Sequence, residues 1–125
     1  MKIVDLLKRE SVELNGKVTS KPEAIEKMVA LMAAGGNLAD VEAYKKGVFA
    51  REEESTTGIG EGIAIPHAKT AAVKAPGLAA MVVKDGVDYD SLDGEPAKLI
   101  FLIAAPDTED NVHLEVLSRL SMLLM

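Results

Sequence analysis

The most constraining stretch of this chain is residues 97–105, in which Leu99, Ile100, Phe101, Leu102 and Ile103 follow one another without a polar residue. A strand with one wet face alternates apolar and polar side chains, whereas an unbroken run suits a strand covered on both faces. Such a strand needs helices above and below its sheet. Ser20-Lys21-Pro22-Glu23 reads as a capping box with a proline in the first turn, where its missing N–H does no harm. Ile25, Met28, Val29 and Met32 continue at helical spacing until Gly35-Gly36. Asn37, with Asp40 three residues on, opens a second helix. Leu38, Val41, Tyr44 and Val48 form its apolar face, Gly47 is a weak point inside it, and it ends within residues 51–54. A last helix begins at Asp107 or Thr108, is acidic at Glu109 and Asp110, carries Val116, Leu117, Leu120 and Leu124 on its apolar side, and runs to Met125.

The remaining strands are shorter. Residues 11–14 read as a strand ended by Asn15-Gly16. Residues 78–83, with 86–89 after the Lys84-Asp85 break, read as one bent strand or a hairpin. The order strand, helices, strands, helix predicts an α/β fold: a single mixed β-sheet flanked by helices on both faces. With 125 residues, 48% of them apolar, one domain over 1–125 with one core is expected.

Composition removes several function classes. Tyr44, Phe49, Tyr89 and Phe101 are the whole aromatic complement, too few for base-stacking platforms. Fourteen Lys and Arg against twenty Asp and Glu leave a net charge of −6 with no basic run, which argues against nucleic acid. The absence of cysteine excludes a disulfide framework, a thiolate metal site and a catalytic thiol, and fits a reducing compartment. Residues 1–10 are too charged for a signal peptide or anchor, and the longest apolar run, 99–106, falls far short of the roughly 20 residues a spanning helix needs. A soluble cytoplasmic protein without direct membrane insertion is expected.

The chemistry concentrates in residues 51–68, REEESTTGIGEGIAIPHA. At the strand period, Ile59, Glu61, Ile63 and Ile65 face one way and Gly58, Gly60, Gly62 and Ala64 the other, leaving a flat face open to close backbone approach. Pro66 ends that strand, so His67 is expected at a strand edge or loop start within reach of a macromolecule. The glycines match neither the dinucleotide-binding spacing nor the P-loop, which argues against ATP. His67 and His113 are the only histidines, and no metal-ligand spacing joins them. His113 stands on the apolar side of the last helix, where His67 can also arrive. Glu52, Glu53 and Glu54 read as a solvated acidic run, and Met28, Met32, Met81 and Met122 as core filler.

The segment from Thr57 through Gly-Ile-Ala-Ile-Pro to His67-Ala68, with Arg51-Glu52 upstream and His113-Leu114 downstream, resembles the EIIA component of the bacterial phosphoenolpyruvate-dependent sugar phosphotransferase system (PTS). The likeness is to the fructose and mannitol type, which includes the nitrogen-regulatory branch, and it covers nearly the whole chain. It implies that fold and a phosphotransferase role. His67 would accept a phosphoryl group from the phosphohistidine of the carrier HPr and pass it to a cysteine of EIIB, with the membrane component EIIC served indirectly. The resemblance also implies a C-terminal element beyond Met125, so the domain reads as incomplete at that end. Position by position, Arg51 matches the arginine that holds the phosphoryl group, and His113 the second histidine.

Residue chemistry supports such roles independently. An imidazole titrates near about 6.5, so a nitrogen lone pair is available at neutral pH for in-line attack on phosphorus. Phosphoryl transfer requires mainly positioning and charge stabilisation, which suit a guanidinium at Arg51 and a donor at His113. Thr57 and Gly58, with the hydroxyls of Ser55 and Thr56, are candidate phosphate donors. Each residue also has a plainer reading: His113 as a core histidine, Arg51 as a C-terminal helix cap. No cofactor or metal is expected. A regulatory module that binds partners according to the phosphorylation state of His67 is the alternative function, and a metal-dependent hydrolase using both histidines is a distant third.

Overall fold

A computed structural model describes residues 3–108 and 111–124. The elements run α1 (Ile3–Leu6), β1 (Leu7–Glu13), α2 (Lys21–Ala34), α3 (Val41–Glu54), β2 (Gly58–Gly60), β3 (Ile63–Ala64), β4 (His67–Thr70), β5 (Gly77–Val87), β6 (Ala97–Pro106) and α4 (Val112–Leu124). The strands form one mixed sheet in the order β1-β5-β6-β3-β2, and β4 also pairs with β6. Strand β6 runs antiparallel to β5 and parallel to β3 and β4. Its parallel neighbour comes in two pieces: Ile63 and Ala64 face Leu99 and Ile100, then His67 through Thr70 face Ile103 through Pro106. Pro66 interrupts the ladder because it has no N–H, while its carbonyl still accepts from Ile103 N at 3.1 Å.

Burial of β6 on both sides accounts for its unalternating sequence. Ile100, Leu102 and Ala104 join one core cluster with Ile25, Met28, Met32, Tyr44 and Val48 of α2 and α3. Ile103 joins the opposite cluster with Val116 and Leu120 of α4, and Phe101 packs against it. Helix α2 starts as expected: Ser20 Oγ accepts from Glu23 N at 3.3 Å, and the Glu23 carboxylate accepts from Thr19 N at 3.2 Å.

Several expectations change. Helix α3 is capped by Asp40, whose carboxylate accepts from Ala43 N at 3.1 Å, and not by Asn37. Asn37 instead donates through Nδ2 to the carbonyls of Ala75 and Pro76 at 3.3 and 3.0 Å, and its own carbonyl accepts from Lys74 N at 2.9 Å, so its polar groups are spent on a crossing segment. Leu38 therefore lies ahead of the helix, bridged to Val73, and Val41 is largely exposed. The first strand is longer than expected, and residues 77–87 form one bent strand with an irregular register between Val82 and Val87. Residues 58–65 are not one flat strand but a tight hairpin: Gly60, Glu61 and Gly62 have φ of 101°, 57° and 81°, values that glycine adopts freely, so the glycines serve the turn. Met122 is 74% exposed on α4, unlike Met28, Met32 and Met81, because nothing described covers the last turn. The expected acidic start at Glu109 and Asp110 and the end at Met125 lie outside the described residues, as does the side chain of Leu124.

Candidate functional site: a two-histidine cleft

Helix α3 presents Gly47, Ala50, Arg51 and Glu54 along one stripe, the spacing of three and four residues that a helical period places on one face. The stripe lies against β4, where the period of two sends His67 and Lys69 to one side and buries Ala68 on the other. His113, in the first turn of α4, closes the third side. These residues line an open cleft of about 410 Å³. Small side chains at 47 and 50 keep its helical wall low, so the imidazole of His67 is only half-buried.

The protonation pattern of His67 follows from its partner. Nδ1 lies 3.0 Å from the carbonyl oxygen of Ile65, and a carbonyl only accepts, so Nδ1 carries the proton and Nε2 the lone pair. The rings of His67 and His113 stack with centroids 6.3 Å apart and planes 26° from parallel. Burial holds the His113 pKa below its ordinary value, and the charge of Lys69, joined by that of His67 whenever its ring is protonated, acts in the same direction. Its Nδ1 is buried without a hydrogen-bond partner among the described residues. Arg51 donates through Nη1 to the carbonyl of Ser55 at 3.0 Å, the helix-capping geometry, while Nε and Nη2 are uncommitted among the described residues.

The structure thus brings His67, His113 and Arg51 together. Thr57 and Gly58 do not line this cleft. Thr57 is buried, with its hydroxyl donating to Glu52 and its N–H donating to Glu52 Oε1 at 3.0 Å, and Gly58 N donates to Thr56 Oγ1 at 3.1 Å. Glu52 is likewise no part of a solvated run: its carboxylate is 5% exposed and pairs with Lys21 Nζ at 3.0 Å. Helical spacing from Arg51 and Glu54 leaves Glu52 pointing inwards. Lys69 was invisible as a site residue until His67 was known to begin a strand; its signal is the two-residue offset. Among the described residues no group of three or more His, Cys, Asp or Glu side chains is placed to hold a metal ion, and no helix is long and apolar enough to cross a membrane.

Known proteins share this fold. The fructose-specific EIIABC component of Bacillus subtilis (strain 168) is 54% identical over 125 residues, which is 100% of this chain and 20% of that protein, so the chain spans about a fifth of that relative. The crystal structure of nitrogen regulatory protein IIA-Ntr from Neisseria meningitidis superposes with a TM-score of 0.83 at 34% identity, covering 92% of this chain and 78% of that one. Enzyme IIAMTL in its complex with phosphorylated enzyme IIBMTL from Escherichia coli gives a TM-score of 0.81 at 27% identity, covering 95% and 83%. Residues 5–125 match the profile described as phosphoenolpyruvate-dependent sugar phosphotransferase system, EIIA 2, and the chain belongs to that family.

Proposed function

We propose that this chain is a phosphoryl carrier of the sugar phosphotransferase system: His67 takes a phosphoryl group from phospho-HPr and gives it to a cysteine of EIIB. The observation that carries this reading is an imidazole with its Nδ1 proton committed to the Ile65 carbonyl, facing Arg51, Lys69 and His113 across an open cleft. In the first step the Nε2 lone pair forms a bond to phosphorus while the bond to the donor histidine breaks and its electron pair returns to the donor ring. In the second, a cysteine thiolate attacks phosphorus and the pair of the breaking bond returns to Nε2, restoring neutral His67. Arg51 and Lys69 offset the charge spread over the transferring oxygens. A new phosphoryl group beside His113 favours its protonated form, the opposite of the present field, so His113 becomes a donor once His67 is modified.

Fructose- or mannitol-type uptake, in the cytoplasm and coupled indirectly to the membrane component EIIC, is the role favoured by the 54% identity to a fructose-specific relative. The likeness to a nitrogen regulatory protein favours a second reading, in which phosphorylation of His67 alters binding to a regulatory partner. Thr57 and Gly58 have no phosphate contact in this scheme because their polar groups are already engaged.

Incubation with phosphoenolpyruvate, the general PTS kinase and HPr is expected to give an acid-labile, base-stable phosphoryl adduct that His67→Ala lacks. Labelling of that variant would sink the assignment. His113→Ala keeps the acceptor and slows transfer. Onward transfer to a purified fructose- or mannitol-type EIIB supports the transport role; a stable adduct that never reaches either supports the regulatory one.

A further inference from the structure

A second cluster lies behind the cleft and is not explained by phosphate contact. The Glu52 carboxylate, 5% exposed, is fully engaged: Oε1 accepts from Thr57 N at 3.0 Å and pairs with Lys21 Nζ at 3.0 Å, and Oε2 accepts from the Thr57 hydroxyl. The Lys21 ammonium also donates to Thr56 Oγ1 at 3.2 Å and sits 4.7 Å above the ring of Tyr89. Tyr89 is fully buried, and its hydroxyl lies 3.3 Å from Thr57 Oγ1. A carboxylate removed from water is costly unless paired and hydrogen-bonded, and this one meets both conditions.

The cluster connects directly to the acceptor histidine. The carbonyl of Thr57 accepts from Ile65 N at 3.0 Å, and the carbonyl of Ile65 accepts from His67 Nδ1 at 3.0 Å. Thr57 and Ile65 each join their own N–H to their own carbonyl through one Cα, so Thr57 is two hydrogen bonds from the imidazole. Glu52 is also the residue after Arg51 in the last turn of α3, so the same carboxylate locks the backbone that carries the cleft's guanidinium.

We infer that Glu52 is a positioning residue for phosphoryl transfer at His67. By pinning Thr57 it holds the Ile65 carbonyl where that oxygen selects the Nδ1–H tautomer of His67, and Lys21, seated over Tyr89, holds the carboxylate in place. This rests on His67 being the phosphoryl acceptor, but its first consequence, the tautomer, is measurable without any transfer.

The test uses Glu52→Gln, which preserves shape, and Thr57→Val, which removes only the hydroxyl. Nitrogen-15 NMR of the His67 ring is expected to show Nδ1 protonated in the unaltered protein and a mixture of tautomers in Glu52→Gln, with a smaller change of the same kind in Thr57→Val. Transfer from phospho-HPr should slow about tenfold to a hundredfold in Glu52→Gln, the scale of a small misplacement of a reacting group. Ile25→Val, a buried change on α2 outside the cluster, should leave tautomer and rate unchanged. Unaltered tautomer and rate in a folded Glu52→Gln overturn the inference, as does an equal change in Ile25→Val. If Glu52→Gln does not fold, an unaltered tautomer in Thr57→Val overturns it instead. Absence of His67 labelling in the unaltered protein defeats the carrier reading, while the tautomer result still decides the role of Glu52.

Discussion

The two faces of the sheet are covered very differently. On one, α2 and α3 bury Ala24, Ile25, Met28, Met32, Tyr44 and Val48 almost completely against β5 and β6. On the other, α4 contributes Val116 and Leu120, with α1 and Leu117 only partly buried beside them, and leaves Leu114, Met122 and Leu123 more than half exposed. Each face supplies one partner to His67: Arg51 comes from the dense side and His113 from the thin one. Close packing fixes side chains, whereas a thin layer relaxes around a defect. The guanidinium is therefore held against a rigid wall, and the second imidazole rides on the looser one.

Truncating one leucine on each face puts this contrast to the test. Leu102→Ala on the dense face is expected to cost about 4 kcal/mol and Leu120→Ala about 2 kcal/mol, because the thin side can collapse into the space. Urea midpoints at constant slope measure both, and equal losses would erase the distinction. Gly47→Ala works in the opposite direction. A Cβ there would meet Ala68 Cβ at 3.4 Å, ordinary contact, so the better helix former should stabilise α3 by about 0.5–1 kcal/mol. Amide exchange should slow in α3 and stay unchanged in α4; slowing in both would mean the layers open together.

The smallest effect is the dependence on pH. His113 has a folded pKa below its ordinary value of about 6.5, so as pH falls the unfolded chain takes up its proton first. The stability it contributes is present above about pH 6.5 and is lost as pH falls through the folded value. Burial is the largest cause, and the charge of Lys69, joined by that of a protonated His67, acts with it; Arg51 and Glu54 line the same cleft. Amide exchange in α4 should accelerate on acidification from pH 7.5 to 5 more than exchange in α3, and His113→Gln should remove the difference. An unchanged gap in that variant would assign the acid sensitivity elsewhere.

Periodicity and capping made most of the fold legible. The unbroken run of β6 foretold helices on both sides, and Ser20 with Glu23 marked the start of α2 to the residue. What stayed hidden depends on partners distant in the chain. Asn37 resembles a helix cap by type, yet its amide is taken by carbonyls 38 and 39 residues away. The alternating glycines fit a flat strand equally well until the positive φ values reveal a turn. At the site, the pattern around His67 and the resemblance it carries pointed to His67, Arg51 and His113, which the structure places around one cleft. It could not separate Glu52 from its neighbours in an acidic run, because the distinction lies in a lysine 31 positions earlier. Nor could it dismiss Thr57 and Gly58 from the cleft, since hydroxyls and amides near a histidine look alike whichever way they turn.

The buried hydroxyl of Tyr44 donates to the carbonyl of Ile103 at 2.8 Å, and Ile103 is the residue paired with His67 in the sheet. The helix that bears Arg51 and the strand that bears His67 are thus surveyed from one benchmark. Two bodies referenced to a single point share its displacement, so thermal excursions of the sheet carry cation and imidazole together and change their separation less than either one's travel. In the proposed carrier role, where two successive partners would be met, the alignment of cation and imidazole would survive deformation of the surrounding surface without a rigid exterior.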